Sequence, residues 1–129
     1  MKKIAFIYLA LSSLFITHTA ITTDHQRRSW TYMVYIAAAN DLEIFAPRNI
    51  RQMQQIGSNE RVNIIVHHTT HEKKTGYART YFIEKSDKKI ITENAQPVDG
   101  GNPQTLINFC CNTIAAYPAD HYALILWNH

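Results

Sequence analysis

Three short, largely apolar runs constrain this chain more than any other feature: Trp30 to Ala37 (WTYMVYIA), Val62 to Val66 (VNIIV) and Tyr122 to Trp127 (YALILW). They are short and rich in aromatic and β-branched residues, so they read as strands, not helices. A strand that is apolar on both sides must be covered on both faces, which is the situation of strands inside a parallel sheet. Parallel neighbours cannot be joined by a tight turn and need crossover segments between them.

The intervening sequence supplies such segments. Leu42, Ala46, Ile50 and Met53 recur at helical spacing after the first run, with Asn40 and Glu43 placed as a capping box and Gly57 placed to close the helix. Pro47 lies inside this pattern and predicts a kink or a split. Asn102 is set to cap a second helix that Pro103 opens, with Leu106, Phe109, Cys110, Thr113 and Ile114 as its apolar stripe and Tyr117-Pro118 as its end. Tyr77 to Ile83 and Lys88 to Thr92 alternate polar and apolar residues on either side of Ser86-Asp87, which reads as a hairpin. The order strand, helix, strand, hairpin, helix, strand predicts an α/β fold, a mostly parallel sheet flanked by helices. In such sheets functional sites gather where strands end at their carboxyl edge. Two polar clusters fall there: Asn40-Asp41 after the first strand and Asn128-His129 after the last.

The first twenty residues stand apart. Lys2 and Lys3 precede an apolar stretch from Ile4 to Ile16 broken only by Ser12 and Ser13, and Ala20 suits a cleavage position. This fits a secretory leader better than a core helix, and the stretch is short for a membrane anchor. The sequence therefore divides into a signal peptide at 1–20, a flexible lead-in at 21–29 and one domain at 30–129, with the periplasm or the exterior as its expected address and no stable membrane anchor. Of the 13 basic side chains, Lys2 and Lys3 belong to the leader, which leaves 11 against 10 acidic ones. So balanced and scattered a charge gives no basic face for nucleic acid.

Among residues able to do chemistry, His129 follows a hydrophobic strand, where a histidine can act as a general base. His67, His68 and His71, with Glu72 beside them, would hold a metal if the segment were helical, but they follow a strand, and the reading here is surface histidines with no metal and no other cofactor. Cys110 sits on the helical stripe and reads as a buried, inert thiol, while Cys111 lies beside the stripe. As neighbours on a helix they point about 100° apart and do not readily bridge each other. No nucleophile-elbow glycines flank any Ser or Thr.

Several segments together resemble the clostripain-like cysteine peptidases. WTYMVYIAAANDLE at Trp30 to Glu43 and NIRQMQQIGS at Asn49 to Ser58 are similar to that family's opening strand and helix. GNPQTLINF at Gly101 to Phe109 is similar to its second helix, and PADHYALILWNH at Pro118 to His129 to the strand that delivers its catalytic histidine. The resemblance implies a caspase-like α/β fold, truncated here after the strand bearing that histidine, and a Cys-His dyad that cleaves after Arg or Lys with His129 as its histidine. Ala39 stands where the family usually has an acidic residue. In the family the nucleophilic cysteine lies on the next strand, just after an acidic specificity residue, and this sequence stops before both. The resemblance thus implies a chain inactive alone, whose partner is a missing C-terminal half or a second copy meeting it at the unfinished edge Tyr122 to Trp127. The other readings are half of a split peptidase and a non-catalytic secreted binding protein on the same fold.

Overall fold

The computed structural model describes residues 27–71, 77–94 and 97–128. Its elements are β1 (Arg28–Ala37), α1 (Ala46–Ile56), β2 (Val62–Thr70), β3 (Tyr77–Glu84), β4 (Asp87–Glu93), α2 (Pro103–Ala116) and β5 (Ala119–Trp127), with a 3-10 turn at Glu43–Phe45 leading into α1. The five strands form one sheet in the order β4-β3-β2-β1-β5. β1 runs parallel to both β2 and β5, with Tyr32 beside Ile64 on one side and Ala123 on the other. β3 and β4 join antiparallel as the expected hairpin. The sheet is therefore parallel through three strands and antiparallel at one flank.

Side chains along β1 alternate between two layers, because successive residues of a strand point to opposite faces. Val34 and Ile36 pack with Ala46, Ile50, Val66 and Ile83 beneath α1. Met33 and Tyr35 pack with Ile65 and Phe109 beneath α2. One helix thus covers each face, and a central strand apolar on both sides is the natural consequence. Thr31 is also fully buried in β1; its hydroxyl donates to Tyr117 O at 2.9 Å and accepts from Asn63 Nδ2 at 3.0 Å, so this polar group has partners on both sides.

The structure amends the sequence reading at several places. β1 starts at Arg28, inside the stretch read as lead-in, because Arg28 N donates to Pro118 O at 3.2 Å and its guanidinium reaches Val62 O at 3.0 Å. The capping box does not form. α1 begins at Ala46 with Pro47 in its first turn, where the missing N–H costs nothing, so the proline sets the helix start and the turn before it tightens to 3-10. Gly57 does close α1, at φ 69°, with its N–H donating to Met53 O at 2.9 Å. A Cβ at Gly57 would lie 2.3 Å from the backbone nitrogen of Lys85, since the β3–β4 turn docks here and Ser86 N donates to Gln54 O at 2.7 Å.

α2 is capped as expected, Asn102 Oδ1 accepting from Gln104 N at 2.9 Å. Its buried stripe is Phe109 and Thr113 flanked by Leu106 and Cys110, whereas Ile114 is 43% exposed. β2 runs on past its apolar run through His67 to Thr70, because Tyr77 to Thr80 of β3 pair with that extension. For β5 the composition predicts a buried run and the resemblance an edge; Leu124, Ile125 and Leu126 are 44%, 45% and 62% exposed, as on an edge strand. Among the described residues β5 pairs with β1 alone and forms one edge of the sheet, so the middle of the strand has a neighbour on one side only.

Candidate functional site

At the carboxyl edge β1 hands over to a tight bend. Ala38 is fully buried and donates its N–H to Thr69 O of β2 at 3.2 Å. Asn40 follows and braces three segments with one side chain. Its Oδ1 accepts from Leu42 N at 2.9 Å, an Asx turn in place of a cap, and its Nδ2 donates to Ala37 O at 2.9 Å and to Asn128 Oδ1 at 3.0 Å. The two polar clusters picked out from the sequence thus meet, although 88 residues separate Asn40 from Asn128. Trp127, beside Ile36 in the ladder, packs against the core under α1 and anchors the end of β5 from below. His129, the candidate base, is the next residue in the chain and lies outside the described residues.

The histidine cluster is dispersed by strand geometry. His67 and His68 are neighbours on β2 and take opposite faces, and both are buried, at 6% and 7% exposure, which corrects the reading of them as surface residues. His67 lies in the α2 layer, stacked on Tyr35 with centroids 5.0 Å apart and tilted against Phe109 at 5.3 Å, with Nδ1 3.0 Å from Thr80 Oγ1. Burial pushes its pKa down from 6.5 to about 4, so it is neutral at pH 7. His71 follows the strand, and Glu72 lies outside the described residues. Among the described residues no three metal-ligating side chains converge. Sequence reasoning missed the burial of this pair, because histidines after a short apolar run look like the start of a loop.

Neither thiol stands at the carboxyl edge. Cys110 packs along α2 against the Met33, Tyr35, Ile65 and Phe109 cluster, and burial, then the neighbouring Cys111, pushes its pKa up. A nucleophilic cysteine requires the opposite shift. Cys111 is exposed on the same helix, and both thiols are unpaired.

A sheet with three parallel strands, a helix on each face and a braced polar carboxyl edge defines a mixed α/β domain with its candidate site at that edge. The chain belongs to the clostripain family, whose model matches residues 34–129. Solved structures agree in fold. A cysteine protease from B. fragilis superposes with a TM-score of 0.67 at 19% identity, over 78% of this chain and 88% of that one. A clostripain from Bacteroides thetaiotaomicron in complex with a peptide inhibitor gives a TM-score of 0.66 at 13% identity, over 80% of this chain and 91% of that one. A secreted C11 cysteine protease from Bacteroides thetaiotaomicron, in complex with an irreversible peptide inhibitor, gives 0.64 at 25% identity, over 78% of this chain but only 29% of that longer one. Among curated proteins no relative matches at a significant level.

Proposed function

We propose that this chain is the histidine-bearing part of a cysteine endopeptidase of the clostripain type, one that cleaves after Arg or Lys and uses His129 as its general base. The hydrogen bond between Asn40 and Asn128 carries the reading. It fixes the end of β5 against the end of β1 at the carboxyl edge, one residue before His129. In such a dyad the imidazole takes the thiol proton, the thiolate attacks the scissile carbonyl, and the imidazolium then protonates the departing amine as the thioester forms. Water hydrolyses the thioester with the same imidazole as base.

The thiol of this reaction is neither Cys110 nor Cys111, which sit along α2. It comes from a segment that adds a strand beside β5, which among the described strands is the parallel one with no neighbour on its outer side. Because neither thiol of residues 1–129 stands at the carboxyl edge, this stretch by itself is expected to be inactive, and a second copy is expected to pair at the same edge when no cysteine-bearing strand occupies it. Assay of the purified chain against Arg- and Lys-terminated chromogenic peptides tests this. No turnover is expected; turnover blocked by a thiol reagent and abolished by Cys111→Ala would overturn it.

The same reading makes the protein an exported one, its first twenty residues removed in transit. Lys2-Lys3 and the run from Ile4 to Ile16 support it, as does the secreted character of the Bacteroides thetaiotaomicron neighbour. Among the described residues no helix is long and apolar enough to cross a membrane. Mass spectrometry of protein from the cell envelope is expected to show a start near residue 21, and an intact Met1 on cytoplasmic protein would contradict export.

A further inference from the structure

On the α1 face, a cavity of about 310 Å³ opens between the start of α1 and strands β2, β3 and β4. His68, Tyr77, Arg79, Tyr81 and Lys88 line it, with Glu43 as the one carboxylate in its wall. Arg79 is served by Glu93, whose Oε1 lies 3.1 Å from its Nη2. Lys88 has no such partner. Its Nζ rests over the ring of Tyr81, 4.4 Å from the centroid, and it makes no ion pair with any described residue. An ammonium group carries three donors and no acceptor, and an aromatic face satisfies its charge in part and its donors poorly. Burial lowers the pKa of Lys88, and the charges of Arg79 and Arg51 lower it further, against a smaller opposing effect of Asp87. The cavity thus holds one cation, Lys88, that has no carboxylate partner among the described residues and a second, Arg79, paired with Glu93, and it is of a size that suits a small ligand.

We propose that this cavity is an anion-binding site that takes one small oxyanion, a carboxylate or a phosphate, on Lys88 with Arg79 beside it. Oxyanions accept charge-assisted hydrogen bonds from such a pair, and an anion there relieves the mutual repulsion of the cations. The inference rests on the cavity alone and is independent of the proposed peptidase role, because the site lies on the far side of β1 from β5.

The test uses the full 129-residue chain labelled with ¹⁵N, titrated with sodium phosphate or with N-acetyl-aspartate amide against sodium chloride at matched ionic strength. Saturable amide shifts around Thr70, Tyr81 and Lys88 are expected with at least one oxyanion. Saturation by phosphate alone points to a free phosphate, and saturation by the aspartyl compound points to acidic peptides. Lys88→Met, which keeps the apolar stem on Tyr81, is expected to weaken binding at least about tenfold, and Lys88→Arg to retain it. Lys89→Met removes the same charge from the opposite face of β4 and is expected to leave binding unchanged. The absence of saturable shifts with either anion, or equal loss in Lys88→Met and Lys89→Met, would overturn the proposal.

Discussion

Asn40 shows how much of the carboxyl edge depends on one side chain. Its amide holds the bend after β1, the carbonyl of Ala37 and the tip of β5 at once. Asn40→Ala leaves three partners to water or to nothing, and a loss of about 1–3 kcal/mol is expected from urea denaturation. Asn40→Asp keeps the acceptor for Leu42 N but loses both donors, so it is expected to fall between wild type and alanine. His67 governs a different property. Its folded pKa of about 4 lies below the value of 6.5 for an exposed histidine. The unfolded chain then binds a proton that the folded chain refuses between those values, so stability is fully present above pH 6.5 and declines as pH falls toward 4. The decline from this one group is about 3 kcal/mol. His67→Phe preserves the stacking on Tyr35 and Phe109, so it is expected to flatten this limb of a stability-versus-pH curve relative to wild type.

At the scale of elements, two junctions carry opposite risks. The join between α1 and the hairpin turn is tight: Gly57 adopts φ 69°, and a Cβ there would collide with the backbone at Lys85. Both conformation and space demand glycine, and Gly57→Ala is expected to cost about 2 kcal/mol or more in thermal or chemical unfolding. β5 is the opposite case, an element with too few neighbours. Natural edge strands are usually blunted by charges, proline or bulges, but from Tyr122 to Trp127 this one has no charge, no proline and no glycine. Leu124 is half exposed on the α2 face of the strand, in register with Met33. Leu124→Lys is expected to reduce self-association in sedimentation velocity, whereas Lys85→Glu in the hairpin turn is not. A monomeric wild type with strongly protected amides across Tyr122 to Trp127 would contradict association through this edge.

For the molecule as a whole, the strands and helices were legible because burial on two faces leaves a mark in the sequence. WTYMVYIA becomes the central β1, and the spacing around Phe109 becomes the buried side of α2. Features fixed by partners were not legible. The composition of YALILW is that of a central strand and hides its edge position, which the resemblance implies and the order of the described strands shows. His67 and His68 are polar letters that pairing with β3 carries inside. The carboxyl edge was readable as two polar clusters after two strands, but the bond joining them spans 88 residues and follows from the parallel register of β1 and β5. The central claim is that this chain contributes the base of a dyad whose thiol arrives on a strand added beside β5. Its most direct test is to mix the purified chain with a second polypeptide carrying the cysteine-bearing strand and remaining half of a clostripain-family domain, and to measure cleavage of an Arg-terminated chromogenic peptide. Turnover is expected from the mixture alone and not from either part, and it is expected to vanish with His129→Ala while Cys110→Ser and Cys111→Ser leave it intact. A complex that forms but stays inactive, or turnover that survives His129→Ala, would contradict the account.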